Sequence, residues 1–182
     1  MIIARQLREK NIAEYLLYMW QIEDLIRANG LDIEKIRSSV ISNFDIGEKE
    51  KNEMSEWYEN LIDMMRREDV AENGHLQINE NVLIQLQDLH MNLLQSSEFP
   101  FYHSAYYKAL PVIVELRTKS GKTNNSELRT CFEALYGMML LKLQKKEVTG
   151  ETLKALSDIS RLLSMLANYD DKNKKGELKI EA

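Results

Sequence analysis

Glu23 is the residue of this chain whose chemistry disagrees most with its surroundings. Drawn as a helix at about 100° per residue, the stretch Asn11–Arg27 (NIAEYLLYMWQIEDLIR) spreads Ile12, Tyr15, Leu16, Tyr18, Met19, Trp20, Ile22, Leu25 and Ile26 over most of its circumference. Glu23 falls near the middle of that arc, on the side of Ile12, Leu16 and Met19. A carboxylate drawn into an apolar interior is costly unless it is paired or protonated. One reading makes it a perturbed carboxylate in a small-ligand or enzymatic pocket, with Tyr15, Tyr106 and Arg117 as the other lining groups. The other makes it a buried ion pair or tyrosine hydrogen bond, which structural networks supply more often than active sites do. Arg117 is the expected partner, because it falls within the apolar arc of its own segment beside Tyr106 and Ile113. Asp24 and Arg27, three residues apart, are expected to form a surface pair worth a few tenths of a kcal/mol.

The remaining reactive side chains form no complete constellation. His75, His90 and His103 lie in separate segments. Glu72 and His75 have the Glu-x-x-His spacing of di-iron bundles, but Gly74 interrupts the helix that would align them, and no second copy exists. His90 stands on an apolar helix face, where a hydrogen-bonded core histidine is expected. Cys131, the single cysteine, shares an arc with Leu128, Leu135 and Met138, which points to a buried, inert thiol. Phosphate-binding glycine loops, the zinc-protease helix motif and the hydrolase nucleophile elbow are absent from the sequence. No metal and no cofactor are expected. Phe99, Phe101, Tyr102, Tyr106 and Tyr107 cluster around Pro100, and tyrosine-rich surfaces suit partners because they bury area and keep a polar tip. Phe99, Phe101 and Tyr107 are the candidate partner surface, with Tyr107 pointing furthest off the main apolar stripe.

Composition sets the frame for these groups. The chain has 182 residues, enough to bury roughly 70% of its unfolded surface in one domain. Hydrophobic residues make up 44% and charged residues 29%, a globular rather than disordered balance. The net charge of -5 argues against a protein built to grip nucleic-acid phosphates, and a nucleic-acid-binding reading would rest only on scattered basic residues such as Lys142, Lys145 and Lys146. The N-terminal MIIARQLREKN lacks the apolar core of a secretory signal, and no uncharged apolar run approaches about 18 residues. A cytoplasmic protein without a membrane span is expected.

Periodicity and capping residues divide the chain into helices. One helix is expected from Ile3 to Ala28, closed by Asn29-Gly30. Asp32 caps a shorter one through Phe44, with Ile33, Ile36, Val40 and Phe44 as its stripe. An amphipathic helix follows from Glu48 to Glu72, burying Met54, Trp57, Tyr58, Leu61, Met64 and Met65. Asn79 is the expected cap of a helix running from Glu80 to Gln95. Phe101–Lys119 reads as helical with a kink or interruption at Pro111, and a strand over Leu110–Leu116 is the weaker alternative. Residues 120–125 form a loop. Ser126 caps a helix to Val148, and Thr149 offers a simple cap to a last helix ending near Tyr169. The expected architecture is all-α, a compact bundle of six or seven helices in one domain over 1–169, followed by a polar tail over 170–182.

The run NIAEYLLYMWQIEDLIRANGLDIEKI, Asn11–Ile36, resembles the N-terminal signature of a family of uncharacterised bacterial proteins of about this length. The resemblance implies a cytoplasmic, all-helical protein of unknown function, and it carries over no catalytic or ligand-binding residue. The functional expectation is a non-catalytic helical interaction or regulatory module that joins a protein partner or a second copy of itself. The alternative is the small-ligand binder or enzyme with a pocket around Glu23.

Overall fold

The computed structural model describes residues 2–121 and 124–178. Among them are eight α-helices, one 3-10 turn and no strand, so the all-α expectation holds. Lys122 and Thr123 of the expected loop, and residues 179–182 of the expected tail, lie outside the described residues.

The chain forms two compact units. The first comprises residues 1–10 and 14–82; the second comprises 11–13 and 83–182. The first holds α1 (Ile2–Lys10), most of α2 (Ile12–Ala28), α3 (Ile33–Ser39), a 3-10 turn (Ile41–Asn43), α4 (Glu48–Arg67) and the start of α5 (Gln77–Gln95). The second holds the rest of α5 with α6 (Pro100–Ser120), α7 (Glu127–Leu143) and α8 (Gly150–Lys174).

One helix more than expected arises at Asn11. Its side-chain oxygen accepts the Ala13 N–H at 3.2 Å, so it acts as an N-cap and divides the expected first helix into α1 and α2. The enclosed character of α2 is as its sequence requires: Leu16 and Ile26 are fully buried, and Met19 and Trp20 are 2% exposed. In α3, Asp32 accepts from the Glu34 and Lys35 amides, but the helix stops at Ser39 rather than Phe44. Helix α4 stops at Arg67, where the chain turns through Asp69 at a φ of 57°.

In the second unit α6, α7 and α8 pack against one another. The expected stripe of α8 (Leu156, Ile159, Leu162, Leu163, Leu166) is buried throughout. Thr149 caps this helix through the Thr152 amide at 3.2 Å, and Ser126 caps α7 through Arg129. Helix α8 continues to Lys174, five residues past the expected end, with Lys174 and Lys175 paired to Asp170 and Asp171 one turn earlier. Pro111 neither ends α6 nor opens a strand. It is exposed, and the Tyr107 carbonyl that loses its amide partner lies one turn earlier on the same solvent side. No helix among the described residues is long and apolar enough to cross a membrane.

Candidate functional site

Glu23 lies in the first unit, on α2, with no exposed surface. Its two oxygens are satisfied by one short segment, residues 75–79, the end of the loop after α4 and the first turn of α5. Oε1 accepts the Leu76 amide at 3.0 Å and the Asn79 side-chain amide at 2.6 Å. Oε2 lies 2.6 Å from His75 Nδ1. An ionised carboxylate oxygen only accepts, so against it His75 Nδ1–H is the donor, and no described residue bonds Nε2. The His75 ring lies flat on Trp20, with centroids 4.2 Å apart and planes 11° from parallel.

This arrangement answers how an acid survives in an apolar helix face. Charge-assisted hydrogen bonds replace the water that burial removes. The Leu76 amide that it accepts stands immediately ahead of α5, so the carboxylate also lies at the positive end of that helix. Glu68 adds a second carboxylate at the same end by accepting the Gln77 amide at 2.6 Å.

Arg27 ties down the other side of the loop. It pairs with Asp24 at 2.9 Å, as expected from the spacing, but its guanidinium also donates to the carbonyls of Val70 and Gly74. Its side chain is only 16% exposed. The expectation of a merely superficial pair is therefore corrected. The sequence conceals this because the carbonyls it reaches are 43 and 47 residues away. Gly74, at a φ of +89°, supplies the left-handed turn that aims His75 at Glu23.

The apolar spacing of the sequence nominates Arg117 as the partner of Glu23, and the bonds that hold the carboxylate are instead those of His75, Leu76 and Asn79. Arg117 belongs to α6 in the second unit, as does Tyr106. Tyr15 shares the first unit with Glu23 and is 5% exposed. Burial pushes its phenol up; the Arg8 guanidinium, 5.6 Å from the ring centroid, pulls it down, and the charge of Glu23 adds to the rise. Burial first, and then a hydrogen bond with Glu127, push the Tyr106 phenol up to about 12.

Two residues of this site escape sequence reasoning. Gly74 breaks the helical register that would place His75, yet that break is what delivers the imidazole. Asn79 reads as a helix cap and instead lies within α5, holding Glu23. The legible signal is the co-occurrence of a misplaced acid and a Gly-His pair before a helix start.

Elsewhere, His90 is a core histidine, 1% exposed, with Nδ1 2.6 Å from the Tyr102 hydroxyl. Cys131 is fully buried, and burial raises its thiol to about 12, which leaves it without nucleophilic thiolate. Of the candidate partner surface, Phe101 is 80% and Tyr107 65% exposed. Phe99 is 8% exposed and packs edge-on to Tyr169 at 5.2 Å, so it belongs to the interior of the second unit. It is the N-cap residue of α6, directly ahead of Pro100. Among the described residues no cluster of three or more His, Cys, Asp or Glu side chains is placed to hold a metal ion.

The family model described as "Domain of unknown function (DUF4924)" matches residues 1–177, and the chain belongs to that family. No curated protein and no solved structure matches it.

Proposed function

We propose that this member of the family is a non-catalytic helical interaction or regulatory module that engages a protein partner, or a second copy of itself, through the outer side of α6. The observation that carries the reading is the exposure of large side chains there. Phe101 stands in water at the first turn, while Tyr107 and Val114, at 65% and 52% exposure, lie seven residues apart on one flank. Exposed Pro111 sits between them. Contiguous apolar and aromatic surface of this kind is what partners bury. The reading is further supported by Glu23, whose oxygens are both engaged in holding a loop and so are not free for catalysis. It sets the protein in the bacterial cytoplasm, away from nucleic acid, in keeping with its net charge of -5 and its unpaired cysteine.

Size-exclusion chromatography with light scattering, alongside affinity capture, tests this. The expected result is a dimer or a captured partner that the Tyr107→Ser/Val114→Ser double variant loses while remaining folded. A strict monomer that captures nothing, or a complex untouched by the double variant, overturns it.

A second reading, a small-ligand binder at Glu23, is favoured by one detail. Asn79 is fully buried, yet its Oδ1 has no hydrogen-bond partner among the described residues. Chemical-shift mapping with a library of small polar metabolites, read at the His75 and Asn79 side chains, separates the two readings.

A further inference from the structure

We infer that a groove in the first unit, between α1 and the segment leading into α4, is a binding site for an amphiphilic organic cation, an alkylammonium with an apolar tail. This is independent of the surface on α6 and of the Glu23 cluster. The groove encloses about 430 Å³, within the range of small-molecule sites. Its apolar wall is made by Ile3, Phe44, Ile46 and Met54. Ile3 and Ile46 are 41% and 36% exposed, so the wall stands open to water at a cost that an apolar tail would relieve.

The charges on its rim select the head group. Arg5 is paired with Glu9 at 3.2 Å, and Glu53 with Lys49 at 4.0 Å. Lys51, close by in sequence, is paired with Glu48 at 4.0 Å. Glu50, which also lines the groove, takes no hydrogen bond or ion pair from any described residue. The charged groups lining the groove are two carboxylates and one guanidinium, and Glu50, in the first turn of α4, has no side-chain partner among the described residues. This net negative rim beside an apolar wall suits an ammonium on an alkyl chain and repels a carboxylate on the same chain. Gly47 leaves room for that carboxylate where it stands: a Cβ there would lie 2.6 Å from Glu50 Oε2.

The test uses the full chain with n-decylammonium and decanoate, each below its micellar concentration at physiological ionic strength. Binding is measured by calorimetry and mapped by chemical shifts. The expected result is saturable binding of decylammonium about tenfold tighter than decanoate, with shifts centred on Ile3, Ile46 and Met54. Glu50→Gln should erase most of that preference, Glu53→Gln should leave it largely intact, and Ile46→Ser should weaken both ligands. Absence of saturable binding, shifts located elsewhere, equal affinity for the two ligands, or an unchanged preference in Glu50→Gln would each overturn the inference.

Discussion

Glu23 Oε2 and His75 Nδ1 lie 2.6 Å apart, across 52 residues of sequence, with the imidazole stacked on Trp20 of the same helix as the acid. The pair is a clasp. Together with the Leu76 amide and the Asn79 side chain, it fixes the entry of α5 to the middle of α2. Arg27, one turn further along α2, holds the preceding loop through the Val70 and Gly74 carbonyls. One face of a single helix thus organises the whole connection from α4 to α5.

Replacing the carboxylate tests this clasp. Glu23→Gln presents an amide N–H₂ to a site that already contains three donors, so at least one hydrogen bond is lost and a buried donor is left unmatched. The expected loss is about 2–4 kcal/mol in urea unfolding. The Trp20 fluorescence should also change, because its stacking partner is released. A loss below about 0.5 kcal/mol would show that the network contributes little to stability.

Gly74 offers an independent probe of the loop. Alanine there must adopt a φ of +89°, and its Cβ would come within 3.3 Å of Val70 Cγ1. Gly74→Ala should cost about 1–2 kcal/mol and accelerate hydrogen exchange at Leu76, whose amide depends on the loop path. Unaltered exchange at Leu76 would mean that the turn does not position the clasp.

His90 predicts an acid sensitivity of the second unit. Burial lowers its imidazole from the ordinary 6.5 to about 4. Between those two values the unfolded chain binds a proton that the folded chain refuses, so stability falls as pH falls. The contribution is complete above pH 6.5, declines through the window and levels off below about pH 4, a total of about 3 kcal/mol. Denaturant unfolding at several pH values, for wild type and His90→Gln, reads this directly. The variant, although destabilised at neutral pH by loss of the bond to Tyr102, should have a flatter profile. Parallel profiles would assign the acid sensitivity elsewhere.

Much of the fold is legible in the residues alone. Hydrophobic period and cap chemistry are local, and they locate α3, α7 and α8 at their starts through Asp32, Ser126 and Thr149. Boundaries fail where a local rule meets a stronger neighbour. Asn11 caps a new helix inside an apolar run, ion pairs one turn apart extend α8 past Tyr169, and Pro111 is absorbed on an exposed helix side.

What the sequence determined alone was the class of element, because apolar spacing and capping act within a few residues, and it marked Glu23 as an acid out of place. Only the tertiary structure decided which groups answer that acid. The partners come from 52 to 56 residues away, and no local pattern encodes which loop will be brought to a buried charge. Packing made that choice. It delivered a histidine, an asparagine and the amide just ahead of a helix where the apolar spacing pointed to an arginine.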